Sequence, residues 1–149
     1  MSCATSPTLK SVPAAPRLAP HRRSVDTALL VEDDPLVAAL LAQALRDHGI
    51  RQVVAADTGV AALAALSRMA IPPQLVVCDL LMPDCDGFEF MEKLGAAHYA
   101  GGLLLVSGMD DRTLNSASLM ARFHRLNLLG ALHKPVDATA LVTALAKLA

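Results

Sequence analysis

From residue 28 onward, short apolar runs of strand length alternate with longer segments whose apolar residues recur at helical spacing. This alternation restricts the chain to one kind of architecture. The runs are ALLVE (28–32), QVVAA (52–56), QLVVCD (74–79), LLLVS (103–107) and GALHK (130–134). Four of the five are apolar on both faces. A parallel sheet covered by helices on both sides requires this, whereas a sheet with one wet face would alternate.

The segments between the runs carry helix punctuation. The first has Asp34 as cap, Pro35 at its first position, an expected inward stripe of Leu36, Val37, Leu40, Leu41 and Leu45, and Gly49 just past its end. The second runs from Thr58 to about Arg68 and stops before Pro72-Pro73. The third begins at Asp86-Gly87 and ends near Ala97, and the fourth is expected over 110–126. The last has Asp137 as cap with Leu141, Val142, Leu145 and Leu148 inward. Strand and helix in strict alternation predict a doubly wound α/β domain with a five-stranded parallel sheet, because each right-handed parallel crossover needs a helix.

A chain of 149 residues suits one such domain. Residues 1–27 stand apart from it. They hold Pro7, Pro13, Pro16 and Pro20, too many for a helix, and four of the basic side chains against Asp26 alone. They read as a disordered N-terminal extension, with the folded domain over 28–149. Arg22-Arg23 faintly matches a twin-arginine signal, but the apolar stretch after it runs straight into Glu32, Asp33 and Asp34, so an export reading fails. A formal net charge of -1 gives no basic field for nucleic acid or anionic lipid. Four aromatics and no Trp argue against a base-stacking platform, and no window is apolar enough to span a membrane. Cys3, Cys78 and Cys85 have no CxxC spacing, which leaves a reducing cytoplasm as the expected location.

In an open α/β sheet, ligands bind at the carboxyl ends of the strands near the switch in strand order. The polar exceptions in the apolar runs sit at such ends: Glu32, Asp33 and Asp34 after the first, Asp79 after the third, Ser107 after the fourth and Lys134 after the fifth. Converging carboxylates repel unless a cation is present, and oxygen ligands with few protein donors suit Mg²⁺ better than zinc. Metal, ammonium and hydroxyl together can neutralise a transferred phosphoryl group, and a central carboxylate can be its nucleophile.

Four pieces in order, LLVEDDP (29–35), VVCDLLMPDCDGFEF (76–90), LLVSG (104–108) and LHKP (132–135), make the chain resemble the receiver domain of two-component response regulators over residues 28–149. The resemblance implies the flavodoxin-like (βα)5 fold. It also implies Asp79 as phosphoacceptor, Asp33 as a direct Mg²⁺ ligand, Glu32 acting through water, the backbone carbonyl of Leu81 as third protein ligand, Ser107 as the hydroxyl that follows the phosphoryl group, and Lys134 as the phosphate-binding lysine. The Lys134-Pro135 bond is expected cis. Leu81 and Met109 match the positions flanking the path of hydrolytic water; both are apolar, so a long-lived phosphorylated state is expected. Where many receivers carry an aromatic switch residue, this chain has Ala131.

The expected function is a single-domain response regulator that takes a phosphoryl group from a histidine kinase or phosphotransfer protein and changes its affinity for a protein partner. It is a phosphoacceptor, not an enzyme that turns over a separate substrate. Only 15 residues follow Lys134, so no output domain is expected after it. Two alternatives stand beside this: a phosphorylation-independent interaction module on the same fold, and a receiver fragment of a cyclic-di-GMP phosphodiesterase regulator, which LNLLGALHKP resembles. Lys134 is expected at an exposed position where its loss costs little stability. Asp84 and Asp86 are expected to be structural, in a turn and a helix cap, and Cys85 to be a bystander thiol. His133 is read as a surface or packing residue, and His21, His48, His98 and His124 form no metal-ligand spacing.

Overall fold

A computed structural model describes residues 25–82 and 86–148. Five parallel strands, β1 (Thr27–Val31), β2 (Gln52–Ala56), β3 (Leu75–Asp79), β4 (Gly102–Ser107) and β5 (Asn127–His133), form one sheet in the order β2-β1-β3-β4-β5. They alternate with α1 (Pro35–Asp47), α2 (Gly59–Arg68), α3 (Gly87–Ala96), α4 (Asp111–Phe123) and α5 (Ala138–Leu145), the last extended by a 3₁₀ turn over Ala146–Leu148. This is the doubly wound, flavodoxin-like fold. Of the three central strands, β3 and β4 are buried throughout and β1 in all but Thr27, whereas the edge strands β2 and β5 are partly exposed.

Strand alternation divides the interior into two layers. Leu29, Val31, Val76, Cys78, Leu103 and Leu105 face one side and pack with Ala62, Phe90, Met91, Leu94, Leu114, Ala117 and Ala121 of α2, α3 and α4. Ala28, Leu30, Leu75, Val77, Leu104 and Val106 face the other side, against Leu41, Ala42 and Leu45 of α1 and Leu141, Ala144 and Leu145 of α5.

The helices start on side-chain caps: Asp34, Thr58, Asp86, Asp110 and Asp137 each accept a backbone N–H from the first turn that follows. Asp86 thus caps α3 as expected, whereas Pro83, Asp84 and Cys85 lie outside the described residues. At the other end, α3 and α4 stop with His98 (φ 56°) and Arg125 (φ 60°) in the left-handed region where glycine is the usual residue. For α4 this places the end at Phe123, short of the expected 126.

Three further expectations are corrected. Leu36 and Leu40 are 67% and 64% exposed, because α1 turns Val37, Ala38, Leu41, Ala42 and Leu45 to the sheet and leaves those two leucines on its outer side. Val142 is 51% exposed, and Ala144 takes the inward place on α5. β5 begins three residues earlier than expected and ends before Lys134. Its register against β4 slips between Leu103 and Leu104, which pair with Leu128 and Gly130, so Leu129 is an extra residue that turns into the α1–α5 layer.

Candidate functional site

Strand order reverses between β1 and β3, and the carboxyl ends of these strands, with those of β4 and β5, border an open cleft of about 680 Å³. Glu32, Asp33, Asp34, Asp79, Leu81, Met82, Ser107, Gly108, Met109 and Lys134 line it. The structure therefore brings together all six residues singled out from the sequence. Glu32, Asp33 and Asp79 can each present one oxygen so that the three lie within 4.8 Å of one another.

The backbone ladder fixes where each side chain emerges. Glu32 leaves β1 with its N–H on the Ala56 carbonyl (3.0 Å), and Leu80 follows Asp79 with its N–H on the Val106 carbonyl (3.3 Å). The Lys134 N–H donates to the Ser107 carbonyl at 2.9 Å, and the Lys134-Pro135 bond is cis, as expected. Gly87 lies against Leu80: a Cβ there would meet the Leu80 Cα at 2.7 Å, so only glycine lets α3 start this close to the Asp79 loop.

Within the cleft Lys134 bridges two carboxylates. Its Nζ lies 2.6 Å from Glu32 Oε1 and donates to Asp79 Oδ2 at 2.9 Å. Both acids are buried, and the lysine side chain is only 22% exposed. The expectation of an exposed lysine is thereby corrected. Burial pushes the Glu32 carboxyl above its ordinary range, against the hydrogen bonds from Lys134 and the Asp34 N–H. Burial also works against the Lys134 ammonium, but its pairing with Glu32 and Asp79 outweighs this and holds it above the usual lysine range.

The remaining acceptors are also engaged. Glu32 Oε2 takes the Asp34 N–H (3.1 Å) and Asp79 Oδ1 takes the Leu81 N–H (3.1 Å). Ser107, fully buried, accepts the Met109 N–H on Oγ at 3.0 Å. Asp33 differs in being exposed. A small hard cation fits this donor set: clustered oxygens, one of them on an exposed carboxylate, with no thiolate or imidazole among the lining residues. Asp33, the exposed one of the three carboxylates, is the most open to a cation from solvent.

Ala131 is half-buried against the layer of α2, α3 and α4. His133, two residues on, pairs through Nε2 with Asp111 of α4. Sequence reading took His133 for a surface or packing residue and had no signal for this partner, 22 residues away on another element.

Fold and cleft together define a doubly wound α/β domain with an acidic site at the switch in strand order, and comparison with known proteins gives its family. Residues 28–146 match the model of the response regulator receiver domain, and the chain belongs to that family. It is 34% identical over 84 residues to the probable transcriptional regulatory protein TcrX of Mycobacterium tuberculosis, covering 56% of this chain and 35% of that protein. It is 36% identical over 98 residues to the virulence sensor protein BvgS of Bordetella pertussis, covering 62% of this chain and 8% of that one. The chain thus spans about a third or less of these curated relatives. Among solved structures, a response regulator from Colwellia psychrerythraea superposes with a TM-score of 0.69 at 29% identity, over 84% of this chain and 97% of that one. A receiver protein from Pseudomonas putida superposes with 0.68 at 24% identity, over 85% and 99%.

Proposed function

We propose that Asp79 accepts a phosphoryl group from a histidine kinase or phosphotransfer protein, and that the modification changes the affinity of residues 28–149 for a protein partner. The observation that carries this reading is the Lys134 ammonium held between the buried Glu32 and Asp79 carboxylates, with Ser107 and the exposed Asp33 on the same cleft. In the transfer, an Asp79 carboxylate oxygen bonds to phosphorus as the bond to the donor nitrogen breaks. Lys134 can move from Asp79 Oδ2 to an oxygen of the incoming group, and Ser107 Oγ–H can donate to another.

Mg²⁺, held by the Asp33 and Asp79 carboxylates and the Leu81 carbonyl, with Glu32 acting through water, would supply charge neutralisation for the phosphoryl oxygens. The N-terminal extension is proposed to end before Val25, which packs on the α1–α5 layer, and Thr27, the first residue of β1. No helix among the described residues is long and apolar enough to cross a membrane, which fits the proposed cytoplasmic location.

The test is intact mass after incubation with acetyl phosphate and Mg²⁺. The expected result is one added phosphoryl group, lost in Asp79→Asn and in excess chelator. Labelling of the Asp79→Asn protein would overturn the assignment. Ala131 favours a second reading, a phosphorylation-independent interaction module, because β5 lacks an aromatic side chain at that place to report on the site. Equal partner affinity for the phosphorylated and unphosphorylated protein would select it.

A further inference from the structure

The loop from β4 into α4 carries Met109, which lines the cleft, and two short links hold that loop. One is internal, the Met109 N–H on Ser107 Oγ at 3.0 Å. The other is the pair between His133 Nε2, at the end of β5, and Asp111 Oδ1, the first residue of α4. A carboxylate only accepts, so Nε2 carries the proton and donates. His133 is also the register partner of Ser107 in the sheet. The chain from Ser107 through Gly108, Met109 and Asp110 to Asp111 is therefore closed into a small ring by His133. With alanine at 131, His133 is the β5 side chain that reaches the start of α4.

We propose that His133 and Asp111 form a latch on this loop. It keeps Met109 at the mouth of the cleft and so slows hydrolysis of the aspartyl phosphate. The lifetime half of the proposal rests on Asp79 being the phosphoacceptor; the latch itself rests on the unphosphorylated structure. In the hydrolysis, a water oxygen bonds to phosphorus as the bond to the Asp79 oxygen breaks. The carboxylate and inorganic phosphate are released and the water proton is lost to solvent. The water must approach opposite the leaving oxygen. A thioether at the mouth cannot orient that water, and a loop that opens less often admits it less often. His133 is thus a positioning residue and touches none of the reacting atoms. Because the pair is exposed, its effect is modest, about two- to fivefold in the frequency of opening.

The experiment has two arms on the full chain. In the first, amide hydrogen exchange of residues 108–113 is followed without phosphate for wild type, His133→Ala, Asp111→Ala, the double variant and His133→Gln. Exchange is expected to speed up about two- to fivefold in His133→Ala. The double variant should add nothing beyond Asp111→Ala, and the Gln variant, whose amide can donate in place of Nε2, should stay near wild type. In the second arm, loss of the phosphoryl group after labelling with acetyl phosphate and Mg²⁺ is followed by intact mass, with decay faster by the same factor in His133→Ala and restored in His133→Gln. Unchanged exchange in His133→Ala overturns the latch. Faster exchange with an unchanged lifetime overturns its link to hydrolysis. A wild type that takes up no phosphoryl group removes the Asp79 reading and the lifetime half with it, while the exchange arm still decides the latch.

Discussion

Lys134 sits where one side chain decides whether two buried acids are tolerated. Removing it leaves Glu32 and Asp79, 1% and 6% exposed at their side chains, facing each other without a cation. Lys134→Ala is therefore expected to lower the stability of the metal-free protein by about 1–3 kcal/mol. Chemical denaturation would measure this, and Glu32→Gln in the same chain should recover part of the loss. A Lys134→Ala protein as stable as wild type would show that solvent already screens the two carboxylates. Arg125 gives the opposite sign. Its φ of 60° carries a Cβ penalty that glycine lacks, and Arg125→Gly is expected to stabilise by about 0.5–1 kcal/mol. A lower denaturation midpoint would mean that the arginine side chain makes up for its backbone conformation.

At the level of elements, α3 and α4 approach each other through Gly95. A Cβ there would meet His124 Cβ at 2.8 Å and the His124 carbonyl oxygen at 3.1 Å, neither of which is the far end of a flexible side chain. Gly95→Ala gains helix propensity of about 1 kcal/mol, but overpacking costs about 1–3 kcal/mol, and the net expectation is a destabilisation of about 1 kcal/mol. Thermal melting decides the sign, and a stabilised variant would show that α4 can move outward freely. The elements themselves were legible to within one or two residues wherever a cap or a proline marked them, as at Asp34-Pro35 and Asp137. The start of β5 was not, because the bulge at Leu129 depends on what β4 presents to it. The end of α4 was missed because Arg125 does the work usually signalled by glycine.

For the whole molecule, the question is where the folded unit starts. The Gln74 side chain accepts the N–H groups of Asp26 and Thr27, at 3.1 and 2.9 Å, and Thr27 pairs with Gln52 as the first residue of β1. Val25 packs against the α1–α5 layer. A chain beginning at residue 25 is therefore expected to melt with the full-length protein. A chain beginning at residue 28 should melt measurably lower, having lost the hydrogen bonds that Asp26 and Thr27 make through both N–H and carbonyl groups with Gln74 and Gln52, worth about 0.5–1.5 kcal/mol each. Equal melting of the two truncated chains would put the boundary at 28, where the sequence reading set it.

What the sequence determined by itself is the order of strands and helices and the residues at the carboxyl ends of the strands. Both are local properties: a run apolar on two faces is a buried parallel strand wherever it occurs, and a polar residue closing such a run must emerge at the end of the sheet. Only the tertiary structure decided which groups meet there. Lys134 lies between Glu32 and Asp79, not in solvent, because its side chain, just past the end of β5, reaches across the ends of β4 and β3 to the two acids. Leu36 and Leu40 face outward because α1 shares its side of the sheet with α5 and presents only one stripe to it. His133 finds Asp111 through the register of two neighbouring strands and the packing of α4 on the sheet, relations that no periodicity along the chain encodes.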